Sequence, residues 1–270
     1  MALLKLTRSA MCMSGPIFMA CGQPGRFIAT PAAAGPWTAS HCHGGAPAGL
    51  LAHIAEAQGA DGPMSVARFT VDFLRPTPID APLEVRTKVV RAGRQARAIE
   101  LELVTDDQLL ARATALLVRQ TEDPGTLTGT SVQPRADGPP CPIPGGFAEQ
   151  FSILPRLGGF GLLGPAQAWF RMESPLIDQQ LPNAIARAVA SADFGSGIAA
   201  DLSFEDWTFP SLDLSAGFVR PPEGEWVLLE SHWLPHARGR TVCVTVLGDC
   251  IGTFGHATHS VMVNPRSAQS

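Results

Sequence analysis

The chain has 270 residues, a length that fits two domains of about 120 residues better than one. Charged residues make up 16% and the formal net charge is −4, so the sequence lacks the basic surface that nucleic acid or an anionic membrane requires. The six cysteines have neither C-x-x-C spacing nor the density of a disulfide scaffold, which favours reduced thiols and a cytoplasmic location.

Residues 1–24 are predicted to be an N-terminal extension. Lys5 and Arg8 precede an apolar stretch, as in a secretory signal, but Gly15-Pro16 interrupts that stretch. A signal peptide needs an unbroken apolar core of about 7–15 residues, so export is the less favoured interpretation. The sequence contains no run of about 18 apolar residues, so no membrane-spanning helix is predicted.

Residues 25–123 form the first predicted unit, which begins with an expected strand within residues 27–37. Gly44-Gly45-Ala46-Pro47 then leads into a helix whose apolar residues have the i, i+1, i+4, i+7 spacing of a buried face. Alternating apolar residues predict four strands after this helix, at residues 66–74, 83–90, 98–104 and 109–118.

Residues 124–149 are rich in Pro, Gly, Thr and Ser and are predicted to be a linker. The second unit spans residues 150–265 and repeats the order of the first, with a C-terminal tail at residues 266–270. Its predicted elements are a leading strand within residues 158–172, a helix at 183–192, and strands near 211–219, 226–233, 241–248 and 252–263.

The two units carry one sequence pattern at a shift of 145 residues. Residues 73–76, Phe-Leu-Arg-Pro, recur as Phe-Val-Arg-Pro at residues 218–221, and the same shift carries residues 111–118 onto residues 256–263 without a gap. A helix followed by long antiparallel strands is an α+β unit whose sheet can wrap the helix. We therefore expect a double hot-dog fold, two tandem units each with a long central helix wrapped by an antiparallel sheet, in which each sheet covers an edge of the other.

At the level of motifs, the chain resembles the thioesterase-like, double hot-dog superfamily that contains the acyl-CoA thioesterase II enzymes. The resemblance covers about residues 25–265. It rests on His43-Gly44-Gly45 at the start of the first helix and on the segments 68–76, 190–194 and 211–221. It implies hydrolysis of acyl-CoA or another acyl thioester by a positioned water, with no cofactor.

In the thioesterase II branch, an Asp after the second helix, a Thr or Ser on the next strand and a Gln on the last strand position this water. The resemblance assigns the first two roles to Asp193 and Ser211. The third falls on Thr258, which lacks the reach and the amide donor of Gln. On an alternating strand His256 shares a face with Thr258, so a neutral His256 is a candidate to replace the Gln, and an exposed histidine is the alternative.

The other polar candidates allow two interpretations each. Asp193 follows an apolar helix, so it is either a buried carboxylate with a raised pKa that acts as a base, or a partner for a helix end. His43, Gly44 and Gly45 either bind the substrate, with backbone N–H groups close to its carbonyl, or only shape the start of the helix. Ser211 either contacts the water or caps a turn.

His41, Cys42, His43 and His53 are residue types that bind metals, but no further cluster completes a site, so no metal is predicted. Arg75 and Arg220 recur at equivalent positions, where they anchor a strand end, pair with a carboxylate or bind a CoA phosphate. The functional hypothesis is a thioester hydrolase, and the alternative is a non-catalytic acyl-thioester binding or scaffold protein. Homo-oligomerisation stays open, and a hydratase is disfavoured because no Asp is followed by His five residues later.

Overall fold

The structure is a computed structural model that describes residues 15–59, 62–122, 132–139 and 143–266. In the first half, the elements are β1 (Phe18–Ala20), β2 (Arg26–Ala29), α1 (Gly45–Ala57), β3 (Met64–Phe73), β4 (Pro82–Ala92), β5 (Ala96–Thr105) and β6 (Gln108–Arg119). In the second half, they are β7 (Phe151–Leu157), β8 (Ala166–Met172), α2 (Ala184–Ala192), α3 (Gly195–Ile198), β9 (Trp207–Thr208), β10 (Asp213–Phe218), β11 (Val227–Trp233), β12 (Arg240–Asp249), β13 (Gly252–Met262) and β14 (Asn264–Pro265). Short 3-10 turns lie at Pro31–Ala33 and Gly146–Gln150.

Twelve strands form one antiparallel sheet in the order β1-β2-β4-β5-β6-β3-β10-β13-β12-β11-β8-β7. The strands β3 and β10 join the two halves at its centre, where Thr70 pairs with Ser215. Each half therefore covers an edge strand of the other, as the sequence predicts. The remaining strands, β9 and β14, form a separate two-stranded ribbon.

The two main helices lie antiparallel against each other inside the sheet. Gly49 of α1 faces Ala190 of α2, and a Cβ atom at Gly49 would lie 3.0 Å from the Ala190 Cβ. Small residues at this contact allow the two backbones to approach closely. The helices have 13 and 9 residues, so the expected long helix in each unit is not confirmed; Gly195 and Gly197, which have poor helix propensity, follow α2.

The N-terminus of α2 is closed by residues of α1. The Asn183 side chain caps α2 by accepting a hydrogen bond from the Ala186 N–H, and the Asn183 backbone N–H donates to His53 Nδ1 at 3.3 Å. The Glu56 carboxylate accepts the Ile185 N–H at 3.1 Å. The side chains of His53, Glu56 and Asn183 therefore accept the backbone N–H groups at the start of α2.

The sequence missed two features near the ends of the units. Within residues 15–24, part of the predicted extension, Phe18 is fully buried and β1 pairs with β2. The leading strand expected within residues 158–172 is β8, and the missed strand is β7, which precedes that range and pairs with β8 in a hairpin. The rest of the predicted extension, residues 1–14, lies outside the described residues.

The repeat is not gap-free, because its shift changes by one residue along each unit. Thr70 pairs with Thr114, whereas its counterpart Ser215 pairs with Thr258, and Thr114 and Thr258 are 144 residues apart. The pair Glu84 with Val104 likewise corresponds to Leu228 with Gly248. The second unit therefore has one residue fewer between its Arg-Pro and its next strand. Since side chains alternate along a strand, this loss inverts the faces that a gap-free alignment assigns to β13.

Candidate active site

A cavity of about 370 Å³ opens where the N-terminus of α1 meets the C-terminus of α2. Most of its wall is apolar, as in sites that bind small organic ligands. Trp37, Phe204 and Phe209 form one side, with the Phe204 and Phe209 ring centroids 4.4 Å apart. The polar side chains of the wall include His43, Asp193, Ser196 and Ser211.

His43 and Asp193 are in direct contact, although they are 150 residues apart in the sequence and come from different units. His43 Nδ1 lies 3.0 Å from Asp193 Oδ2, and both side chains are largely buried. The helix contact brings them together, because His43 precedes α1 and Asp193 follows α2. Substituting alanine at Gly44 would put a Cβ 2.9 Å from Asp193 Oδ2, so this approach requires glycine.

The Asp193 carboxyl group is a weaker base than the sequence predicts. Burial by itself raises its pKa, but the hydrogen bond and charge of His43, the charge of His259 and the Gly45 N–H outweigh burial and lower the pKa below its usual value. The expected raised pKa is therefore a wrong prediction, since the sequence did not reveal these partners. An ionised Asp193 is suited to orienting His43 rather than to taking a proton itself.

The ionised carboxylate also determines which nitrogen of His43 carries the proton. The Asp193 carboxylate only accepts, so its 3.0 Å contact assigns the proton to Nδ1. The Gly45 N–H also points towards Nδ1, at 3.1 Å, and contributes to the lowered pKa of Asp193. The lone pair of a neutral ring is then on Nε2, which has no hydrogen-bond partner among the described residues. Phe147 and Phe194 hold the ring at centroid distances of 5.2 and 4.6 Å.

The two glycines have different environments. Gly44 lines the cavity, and its backbone N–H has no hydrogen-bond partner in the described part of the chain. Gly45 packs against α2, where an added Cβ would lie 2.7 Å from the Ala190 carbonyl oxygen. Gly44 therefore remains a candidate to donate to a substrate carbonyl, whereas Gly45 makes the close helix contact possible.

Ser211 also borders the cavity, with its hydroxyl 3.3 Å from that of Ser196. The Ser196 carbonyl oxygen is fixed by the Trp233 side chain, whose N–H donates to it at 3.0 Å. Asp193 and Ser211 thus share one cavity, as the resemblance implies.

Thr258 and His256 do not border this cavity. Both lie on the outer face of β13, where Thr258 is between Ser215 and Val244 of the neighbouring strands and His256 is exposed next to Gly217. The expectation that Thr258 meets Asp193 is corrected by the one-residue change in the repeat. The inner face of β13 carries the neighbouring residue instead.

His259 lies on the inner face of β13 and belongs to the site. It is fully buried, and its Nε2 lies 3.6 Å from Asp193 Oδ1. Neither ring nitrogen, nor Asp193 Oδ1, has a hydrogen-bond partner within the described ranges. Burial lowers the pKa of His259 below its usual value, against the opposing effect of the Asp193 and Asp213 charges. The pairing of β13 with β10, had it been known, would have identified His259 as the inward residue.

Comparison with known proteins places the chain in a family. A family model described as the acyl-CoA thioesterase N-terminal domain matches residues 33–118, and one described as the acyl-CoA thioesterase C-terminal domain matches residues 124–263. The chain belongs to the acyl-CoA thioesterase family. A comparison with curated protein sequences gives no significant match.

Solved structures show that this acyl-CoA thioesterase family member has the hot-dog fold. A hot-dog protein from Alicyclobacillus acidocaldarius is similar with a TM-score of 0.66 at 15% identity, over 90% of this chain and 94% of that one. The acyl-CoA thioesterase II TesB2 from Mycobacterium marinum is similar with a TM-score of 0.63 at 17% identity, over 92% and 95%. A proposed thioesterase from Novosphingobium aromaticivorans is similar with a TM-score of 0.70 at 19% identity, over 92% and 99%.

The described part of this family member has neither a cluster of metal-binding side chains nor a membrane-spanning helix. No group of three or more His, Cys, Asp or Glu side chains there has an arrangement that would hold a metal ion. None of its described helices is both long and apolar enough to cross a membrane.

Proposed function

We propose that the protein hydrolyses acyl-CoA thioesters by attack of a water molecule that His43 deprotonates. The observation that carries this proposal is the contact of His43 Nδ1 with the buried Asp193 carboxylate at the wall of an apolar cavity. Thioester hydrolysis needs a base for the water, donors for the developing oxyanion and an apolar place for the acyl chain. The family match supports the same reaction class.

In the proposed mechanism, His43 Nε2 takes a proton from water while the oxygen forms a bond to the thioester carbonyl carbon. Asp193 accepts the Nδ1–H hydrogen bond and stabilises the imidazolium that forms. The tetrahedral intermediate then expels the carrier thiolate, which takes the proton from Nε2–H. The products are a carboxylic acid and the free thiol, and His43 returns to its neutral state.

Backbone donors at the start of α1 are suited to the oxyanion. Gly44 lines the cavity and its N–H has no described partner, and the N-terminus of a 13-residue helix carries partial positive charge. A preorganised donor of this type contributes about 2.7–4 kcal/mol of transition-state stabilisation in other enzymes. We assign this role to Gly44.

Ser211 and His259 complete the proposed site in different ways. Ser211 supplies a hydroxyl at the cavity wall that can hold the attacking water. His259 lies next to the second oxygen of Asp193 and replaces Thr258 as the residue of the last strand. The alternative, a non-catalytic binding protein, depended on the missing Gln, and His259 removes much of its support.

The experiment is measurement of thiol release from acyl-CoAs of increasing chain length, for the wild type and for His43→Ala, Asp193→Asn and Thr38→Ala. Loss of general base catalysis predicts a kcat about 10²–10⁴-fold lower for the first two variants. Thr38 also borders the cavity but is exposed and bonds Ser40, so its variant is the control and should keep activity. Binding of acyl-CoA without thiol release by the wild type would exclude hydrolysis.

A further inference from the structure

The two arginines of the repeat have different surroundings. Arg220 forms a bidentate ion pair with Asp249, in which Nη1 and Nη2 lie 2.5 and 2.8 Å from the carboxylate oxygens. The Asp249 side chain is fully buried and also accepts the N–H groups of Glu223 and Ile251. Arg220 therefore serves the internal structure of the second unit.

Arg75 has no carboxylate partner in the described part of the chain. The residue that corresponds to Asp249 in the first unit is Thr105, whose hydroxyl donates to the Pro82 carbonyl. Arg75 Nη1 donates to the Leu109 carbonyl at 2.7 Å, which fixes the direction of the guanidinium group. Its remaining N–H donors have no described partner, so the side chain is held in place but not neutralised.

The position of Arg75 relates this free charge to the cavity. Arg75 is exposed and borders the cavity, so it lies at the opening. Among the described residues of the cavity wall, it is the only Lys or Arg, and Asp193, which is paired with His43, is the only carboxylate. A second guanidinium, that of Arg266, lies 5.6 Å from the ring of Trp37 in the same wall. The opening therefore favours an anion.

We propose that Arg75 binds a phosphate group of the thiol carrier while the acyl chain occupies the apolar cavity. This inference rests on the proposed function and assigns Arg75 as the residue that recognises the phosphorylated pantetheine of the carrier. Guanidinium groups bind phosphate through paired N–H donors, and the fixed direction of Arg75 lowers the entropy lost on binding. The phosphate belongs either to CoA or to the 4′-phosphopantetheine of a carrier protein.

Binding of the carrier without an acyl group tests this inference independently of hydrolysis. Isothermal titration calorimetry measures the Kd of CoA, 4′-phosphopantetheine and pantetheine for the wild type, Arg75→Gln and Arg91→Gln. Arg91→Gln is the matched control, because it changes the net charge by the same amount as Arg75→Gln. Arg91 is exposed on β4 and does not line the cavity. We expect Arg75→Gln alone to raise the Kd of phosphorylated ligands about fivefold, as for a partly exposed ion pair, and to leave pantetheine unchanged.

The pattern of results distinguishes the sources of the phosphate and the possible failures. An effect on both phosphorylated ligands assigns the pantetheine phosphate, which free CoA and carrier proteins share, and an effect on CoA alone assigns its nucleotide phosphates. Any of three results would overturn the proposal. Arg75→Gln would raise the Kd of pantetheine as much as that of the phosphorylated ligands, or Arg91→Gln would raise the Kd of those ligands as much as Arg75→Gln does. The third result is a wild-type Kd that is the same for ligands with and without phosphate. Phosphate-dependent binding with no thiol release from any acyl-CoA would instead reject the proposed hydrolysis and leave the Arg75 site standing.

Discussion

Replacing His259 by Leu should make the protein more stable and less active. His259 is fully buried, and two ring nitrogens lack described partners. An unsatisfied buried polar atom costs about 1–3 kcal/mol, and the 3.6 Å contact with Asp193 offsets about 1 kcal/mol of this. Leu has a similar volume and no polar atoms. We expect the free energy of unfolding to rise by about 1 kcal/mol and the Tm by about 2–4 °C.

The stability difference should grow at acidic pH. Burial lowers the folded-state pKa of His259 below its usual value of about 6.5, against the opposing charges of Asp193 and Asp213. Below pH 6.5 the unfolded chain binds a proton that the folded chain does not, so the wild type loses stability as the pH falls. His259→Leu removes this loss, and its advantage should therefore be larger at pH 5.5 than at pH 7.5.

Activity should change in the opposite direction, because Leu leaves Asp193 Oδ1 without a polar neighbour. We expect kcat to fall about tenfold, which corresponds to about 1.4 kcal/mol of transition-state stabilisation. His259→Gln supplies an amide donor at the same place and should restore most of kcat. A side chain with only a structural role would not give this rescue.

Urea unfolding at both pH values and thiol release measure these effects. His256→Leu is the matched control, since His256 lies on the outer face of the same strand and is exposed. Its change in unfolding free energy should stay within about 0.5 kcal/mol, with unchanged kcat. Destabilisation by His259→Leu of more than 1 kcal/mol would refute the reasoning, because it would show that the ring nitrogens are satisfied in the folded protein.

Two further predictions concern the repeat. Arg220→Gln should lower the free energy of unfolding in urea by about 3–5 kcal/mol, because it leaves Asp249 buried and unpaired. Arg75→Gln should change it by less than about 0.5 kcal/mol. Equal losses would contradict the different roles of the two arginines. Thr258→Val should leave kcat/KM for acyl-CoA within about twofold, since Thr258 lies on the outer face of β13, and a tenfold loss would return Thr258 to the site.

Local sequence patterns were sufficient for most of the fold. Apolar periodicity located α1, α2 and the strands β3 to β6 and β10 to β13 within a few residues, because each signal lies inside one element. Strand β7, which lies before the leading strand predicted within residues 158–172, was missed because the sequence pattern of residues 151–157 does not show their pairing with β8. Phe18 was assigned to an extension because its burial depends on long-range partners, among them Leu176, whose carbonyl accepts the Phe18 N–H.

The sequence by itself determined the duplication, the order of the elements and the presence of His43 and Asp193 at helix ends. Only the tertiary structure decided that these two residues meet across the units and that His259, not Thr258, faces them. The physical reason is the two-residue alternation of a strand, in which a single residue lost from a loop moves every later side chain to the other face. Composition and motif spacing do not reveal that loss, whereas the hydrogen-bonded pairing of Ser215 with Thr258 does.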